Sequence, residues 1–269
     1  MRLFVFFLTF VIPLKCFSQQ NFETISRDII KEMREYNVEN IQKQIHLLKP
    51  KNEAEEKLLE LIKWKKNYFV NGFEIGLSKN LVEVLDRPNN VNSTIEIISL
   101  LLYGDYLHLT TEDESLAYEY YLLAEKHALE NKDSLLICES IKRMKIILNN
   151  SNLKTELLLD RMSTYEKYAY DTYEYKLCKL LQLRTESKLT RKNKIKEYLV
   201  EAEDSLMLQY PMLQASYYKM LGINYDHFKE DINKAIEYYN KALSIYNSKD
   251  IFKYKKERFG IFLDMAIAL

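Results

Sequence analysis

The side chains that could do chemistry in this chain are histidines, cysteines and many carboxylates, but their spacing matches no catalytic or metal-binding pattern. There is no HExxH motif and no i, i+4 histidine pair among His46, His108, His127 and His227. The sequence also has no GxxxxGK or GxGxxG loop and no GxSxG nucleophile elbow. The carboxylates are spread along charged helix surfaces, where i, i+4 ion pairs account for them. We therefore expect no catalytic residue, no metal site and no cofactor.

The composition is typical of a helical globular protein. The chain has 269 residues, of which 47% are hydrophobic and 29% charged, so it can bury a sizeable core. Five glycines and four prolines are too few for the many turns of an all-β fold. Thirty-nine Lys and Arg residues balance 39 Asp and Glu residues, so no basic field favours a nucleic-acid partner.

A ten-residue helical signature recurs along the chain. Residues 193–202 and 233–242 align without a gap at an offset of 40, and residues 115–124 align with the last copy at an offset of 118. Each copy places small and larger side chains at i, i+4 and i+7 on one helix face, which lets a partner helix approach closely. These positions hold Ala117, Tyr121 and Ala124, then Ile195, Leu199 and Ala202, then Ala235, Tyr239 and Ala242.

A glycine recurs in several of the predicted first helices. Leu221-Gly222-Ile223-x-Tyr225-Asp226 resembles Phe259-Gly260-Ile261-x-Leu263-Asp264 at an offset of 38, and Tyr103-Gly104 holds the same place 118 residues before Leu221-Gly222. Glycine inside a helix costs about 1 kcal/mol relative to alanine. A recurring one therefore predicts a point where another helix packs too closely for a side chain.

These spacings predict an array of antiparallel helix pairs. The first helix of each pair begins near residues 52, 93, 133, 172, 212 and 251, at intervals of 39–41 residues. Three of the helix starts offer an N-cap with an acid three residues on: Asn52, Ser93 and Thr111. Neighbouring pairs would stack in line to bury their apolar faces, with no contact between distant pairs. Residues 19–50 would form capping helices and 51–250 the repeats. Residues 251–269 would form either the first helix of a further, truncated repeat or a cap docked on the preceding pair.

The chain resembles a tetratricopeptide repeat (TPR) protein at these residues. That family carries an aromatic, Leu-Gly and Tyr on the first helix and Ala, an aromatic and Ala on the second. The best match is at Tyr218, Leu221, Gly222, Tyr225, Ala235, Tyr239 and Ala242, and a less complete one at Leu102, Gly104, Leu107, Ala117, Tyr121 and Ala124. The pitch of 39–40 residues here exceeds the 34 of the family. The resemblance implies a right-handed α-solenoid whose concave face, lined by first helices, binds peptides or proteins.

The N-terminus has the pattern of a secretory signal. A basic start, an apolar run over residues 4–14 and a small-residue site near Ser18 predict a cleaved signal peptide over residues 1–18. The apolar run is shorter than the roughly 20 residues that span a bilayer. We expect an exported, periplasmic protein, with an uncleaved anchor or a lipid on Cys16 as alternatives. Membrane contact would come only through this segment or a missing C-terminal part.

The two remaining cysteines are predicted to be free. Cys138 and Cys178 lie in apolar helical contexts, 40 residues or one pitch apart. Equivalent positions on stacked helices lie about 10 Å apart, whereas a disulfide needs Cα atoms within about 7 Å.

The function that we expect is a non-enzymatic exported scaffold with a protein or peptide partner. Tyr217 and Tyr218 are candidate partner-binding residues because large side chains with a polar tip suit interfaces, although half-buried packing would also explain them. One alternative is the N-terminal sensory region of a membrane-bound histidine kinase or transcriptional regulator, incomplete at its C-terminus. Another is an enzyme with a helical toroid fold, which would need an acid/base pair grouped in a pocket.

Overall fold

The described part of the chain is entirely helical. The computed structural model describes residues 21–72, 76–85, 93–111, 113–150, 155–192, 194–195 and 209–268. These ranges contain twelve α-helices and one short π-helix, and no strand. In chain order the α-helices are α1 Phe22–Arg34, α2 Val38–Ile45, α3 Glu53–Asn71, α4 Lys79–Leu85, α5 Thr94–Tyr106, α6 Glu114–Glu130, α7 Ser134–Asn150, α8 Thr155–Tyr168, α9 Thr172–Thr190, α10 Pro211–His227, α11 Ile232–Tyr246 and α12 Phe252–Ala268, with the π-helix Leu107–Thr111 after α5.

The helix starts follow local capping chemistry. The six first helices begin within one residue of the positions that the sequence predicts. Ser93 forms a full capping box with Glu96, and the Asn52 side chain accepts the Glu55 N–H at 3.0 Å. The prediction for α6 is wrong, because its N-cap is Asp113 and not Thr111. The π-helix extends α5 by a further turn, and the Thr111 hydroxyl therefore donates to the carbonyl of Leu107 at 2.7 Å.

Helices pack chiefly against their neighbours along the chain. The closest packing joins α5 to α6, α6 to α7 and α10 to α11, and further contacts join α7 to α8, α8 to α9 and α11 to α12. First helices also contact one another, since α3 packs on α5, α5 on α7 and α9 on α10. This order of contacts is the one that an array of helix pairs produces.

A contact between α3 and α12 departs from stacking in line. The rings of Phe252 and Tyr68 are 5.6 Å apart, and Lys256 donates to the Tyr68 hydroxyl at 3.3 Å. Phe252 also packs where a Cβ on Gly72 would lie, with its ring 3.0 Å from that point. The expectation that distant pairs do not touch is therefore wrong. The rings of Tyr68 and Phe252 bury apolar surface against each other, which joins two helices that are distant in the sequence.

Helix α1 lies among the first helices rather than only covering one end of the array. Arg27 pairs with Asp133 at the start of α7, and the backbone of α1 approaches α5. Residues 34–36, at the end of α1, reach α7, α9, α10, α3 and α12. Two apolar cores, one over α1–α9 and one over α9–α12, meet at Tyr36, Leu177 and Met220. The predicted signal peptide lies outside the described residues.

Candidate functional site

A cavity of about 450 Å³ lies between the end of α1 and the first helices α3, α5, α7, α9 and α12. Aromatic side chains from Tyr36, Tyr68, Phe69 and Tyr173 form part of its wall. The remainder is mostly charged. Six cations line it, Arg34, Lys65, Lys142, Arg143, Lys253 and Lys256, together with three carboxylates, Asp105, Glu139 and Glu257. A cavity of this size is in the range of ligand sites in proteins.

Asp105 is the centre of one buried ion network. Its carboxylate lies 3.2 Å from the Lys65 ammonium and 3.0 Å from the Arg143 guanidinium, and it accepts the Tyr121 hydroxyl at 3.0 Å. Burial alone would raise the pKa of Asp105, but the two cations outweigh it and lower the pKa below its usual range. Burial lowers the pKa of Lys65 to about 8 against the opposing effect of Asp105. Four helices, α3, α5, α6 and α7, are thereby joined through one carboxylate.

Arg34 is the centre of a second network. Its guanidinium lies 3.0 Å from Glu174 on α9 and 3.4 Å from Glu139 on α7. Lys142 also pairs with Glu174, at 2.9 Å, and the Tyr165 hydroxyl donates to the same carboxylate. Glu174 is fully buried, so these partners compensate the cost of removing its charge from water.

Glu35 caps a helix far along the chain. Its carboxylate accepts the backbone N–H of Met212, 177 residues away, at 2.9 Å. Helix α10 begins with Tyr210 and Pro211 and has no side-chain cap of its own, so Glu35 satisfies an N–H that would otherwise have no acceptor. Burial raises the pKa of Glu35 to about 7, although the N–H groups of Met212 and Leu213 lower it in part.

A third group of charges lies on the α12 side of the cavity. Glu257 pairs with Lys253 at 2.8 Å and with Lys219 of α10 at 3.4 Å. Burial would raise the pKa of Glu257, but these two ammonium groups lower it to about 2. The Lys253 ammonium also lies over the Tyr36 ring, 5.1 Å from its centroid.

Neither cysteine of the described residues is an activated nucleophile. Cys138 and Cys178 are buried and free, as predicted. Burial raises the pKa of the Cys178 thiol to about 12 and that of Cys138 further above its usual value, so both stay protonated at neutral pH. No group of three or more His, Cys, Asp or Glu side chains in the described ranges is arranged to hold a metal ion.

The predicted packing residues lie in the helix-pair interfaces. Ala117, Ala124, Ala235 and Ala242 are fully buried. Among the other predicted packing residues, the Tyr121 ring lies against Gly104, the Tyr239 ring lies against Gly222, and both Leu221 and Tyr225 are buried. Ala202 lies outside the described residues.

The two candidate partner-binding tyrosines differ in exposure. Tyr217 is fully buried, and its ring is 5.9 Å from that of Tyr218. Tyr218 is half-buried and stacks on Tyr238 at 6.2 Å. The Tyr217 side chain therefore packs within the fold and offers a partner no surface in this structure.

Sequence reasoning missed the charged residues of the cavity. Asp105 follows Gly104 inside the apolar run of α5, and Lys65 follows Trp64 in α3. A charge inside an apolar helix face signals a buried partner. That signal was present, but it did not indicate which distant residue the partner was.

Comparisons of the chain with protein-family models, with curated proteins and with solved structures found no significant match. In the described ranges no helix has the length and apolar character required to cross a bilayer.

Proposed function

We propose that this protein is a non-enzymatic helical scaffold that binds a protein or peptide segment on the inner faces of its first helices. The proposal treats the array as a TPR-like, right-handed α-solenoid whose curvature brings its ends together. Packing between chain neighbours and the contact between α3 and α12 support this arrangement. In such an array the first helices form the concave face, and side chains of five first helices line one cavity here.

The observation that carries the proposal is the position of α1. This amphipathic helix already lies against the first helices, where Arg34 pairs with carboxylates on α7 and α9. Tyr36 follows it and packs on Phe69 of α3 and Tyr254 of α12, with ring centroids 5.2 and 6.2 Å apart. The cavity lies directly beside these contacts. A surface that binds one helix through ion pairs and aromatic rings has the chemistry to bind another segment.

The charges of the cavity favour binding over catalysis. Asp105, Glu139 and Glu257 are ion-paired, and each has a pKa below its usual range. Carboxylates of low pKa are weak general bases at neutral pH. Glu35 has a pKa of about 7, but its carboxylate already accepts the Met212 N–H.

A charge at the cavity mouth tests the proposal. Ile146 lines the cavity and is 52% exposed, so Ile146→Glu should leave the fold intact. Peptides selected from a displayed library on the wild-type chain serve as probes, and fluorescence anisotropy gives their Kd. We expect Ile146→Glu to weaken these peptides by about tenfold or more, as loss of a central interface residue does.

The matched control is Leu47→Glu, which introduces the same charge at a 58% exposed position away from the cavity. Its affinity for the selected peptides should equal that of the wild-type chain. Equal affinities of wild type and Ile146→Glu would show that the peptides bind elsewhere, and the proposal would then be wrong.

A further inference from the structure

In two helix pairs, a tyrosine ring of the second helix lies on a glycine of the first helix. We call the first-helix side of this contact a tyrosine socket. It consists of the glycine, the residue before it and the residue three positions after it. At Gly104 a Cβ would lie 2.5 Å from the Tyr121 ring, and at Gly222 it would lie 2.6 Å from the Tyr239 ring. The flanking positions are buried in both pairs. They are Tyr103 and Leu107 in the first socket, and Leu221 and Tyr225 in the second.

Helix α12 repeats the first-helix half of this contact. Gly260 corresponds to Gly222, and its flanking positions hold Phe259 and Leu263. No tyrosine ring of the described residues lies on Gly260, where a Cβ would meet only the Lys219 ammonium nitrogen, at 3.3 Å. Phe259 and Leu263 are 70% and 53% exposed, although their counterparts in the other two sockets are buried.

The exposed socket is part of a continuous apolar stripe. Phe262 and Ile267 are also exposed, and together with Phe259 and Leu263 they lie at i, i+3, i+4 and i+8 along one side of α12. Ile261, in contrast, is fully buried and belongs to the core formed with α10 and α11. One side of α12 is therefore docked and the other presents large apolar side chains to solvent, which is typical of an interaction surface.

We propose that this socket binds an amphipathic helix of another polypeptide that carries a tyrosine between two alanines in the order Ala-x3-Tyr-x2-Ala. The two covered sockets of this chain define that chemistry. The Tyr121 ring covers Gly104 and the Tyr239 ring covers Gly222, and the alanines four residues before and three after each tyrosine are fully buried: Ala117, Ala124, Ala235 and Ala242. The alanines let the two helix backbones approach, and the ring fills the space that glycine leaves. The site lies on the outer side of α12 and does not depend on peptide binding in the cavity.

The probe is a helix-stapled, fluorescein-labelled peptide with the sequence of residues 231–247, titrated against the full chain. We expect saturable binding by anisotropy, and a Tyr239→Ala peptide should bind at least about tenfold more weakly because it lacks the anchoring ring. In the chain, Gly260→Leu should weaken the unmodified peptide to a similar extent, since the added side chain would occupy the place of the ring. If the chain binds neither this α11 peptide nor a peptide with the sequence of α6, the proposal is wrong.

The control variant is Lys43→Leu, which adds the same side chain at an exposed position on another helix, α2. It should bind the peptide as the wild type does, and unchanged binding by Gly260→Leu would overturn the proposal. Sedimentation velocity of the chain alone tests for the other possible occupant, a second copy of this chain. A dimer that Gly260→Leu dissociates and that the peptide does not disrupt would assign the stripe to a second copy, against the proposal.

Discussion

Three consecutive residues at the end of α1, Arg34, Glu35 and Tyr36, together contact five other helices: α3, α7, α9, α10 and α12. Arg34 pairs with acids on α7 and α9, Glu35 caps α10, and Tyr36 packs between α3 and α12. Each uses a different interaction: ion pairing, helix capping and aromatic packing. Tyr36 also has a positive φ of 50°, a backbone conformation that is uncommon outside glycine. The turn after α1 is therefore held in place by its surroundings.

The carboxyl group of Glu35 should make stability depend on pH. Its pKa is about 7 in the folded chain, against 4.5 as its ordinary value, because burial disfavours the charged form. A raised folded pKa means that its contribution to stability is lost as pH rises from about 4.5 to 7. Glu35→Gln keeps an acceptor for the Met212 N–H and removes this charge.

We therefore expect Glu35→Gln to increase the free energy of unfolding relative to wild type at pH 8, by about 1–3 kcal/mol, and by much less at pH 5. Urea unfolding at both pH values measures the difference. Glu60→Gln, at an exposed carboxylate, should follow the wild-type profile. If the Glu35→Gln and wild-type chains show the same pH dependence, Glu35 does not titrate in this window.

At the scale of the helix, the recurring glycine separates covered first helices from the exposed one. The tyrosine rings of α6 and α11 occupy the space beside Gly104 and Gly222, so a side chain there would displace a buried ring. Among the described residues, the only atom close to a Cβ at Gly260 is the end of the flexible Lys219 side chain. Glycine at this repeat position therefore makes room for a packed ring in α5 and α10, whereas in α12 it only lowers helix propensity.

The change in stability on substitution by alanine should differ in sign between Gly222 and Gly260. Gly222→Ala should destabilise the chain by about 1–3 kcal/mol, because overpacking exceeds the gain in helix propensity. Gly260→Ala should leave stability unchanged or raise it by up to about 1 kcal/mol, since alanine favours the helix and meets no ring. Thermal unfolding by circular dichroism compares both with wild type. A similar loss at both glycines would mean that Gly260 is also covered by a packed side chain.

At the scale of the molecule, the contact between α3 and α12 decides whether the described array is open or closed. The Phe252 ring lies between Tyr68 and the backbone of Gly72, whose positive φ of 79° also lets the chain leave α3. The cavity lies beside this contact, and residues of both α3 and α12 line it. Its volume therefore depends on two helices that are almost 200 residues apart in sequence.

Loss of the Phe252 ring should loosen this closure without unfolding the pairs. We expect Phe252→Ala to reduce the free energy of unfolding by about 1–3 kcal/mol, less than for a fully buried phenylalanine. Small-angle scattering should show a larger radius of gyration, because the ends of the array are no longer joined. Phe259→Ala, at a 70% exposed ring on the same helix, is the control and should change neither quantity. An unchanged radius of gyration for Phe252→Ala would show that other contacts maintain the closure.

The sequence by itself determined the all-helical class, the starts of the first helices and the residues that meet within the α5–α6 and α10–α11 pairs, because periodicity, caps and glycine positions are local signals. The tertiary structure alone decided that α1 lies among the first helices, that α3 meets α12, and that Asp105, Glu139 and Glu174 find cations on other helices. The contact between α3 and α12 joins helices that lie far apart in the sequence, and a repeat length does not specify such a contact. The ion pairs join residues whose spacing has no period, so no pattern along the chain predicts them.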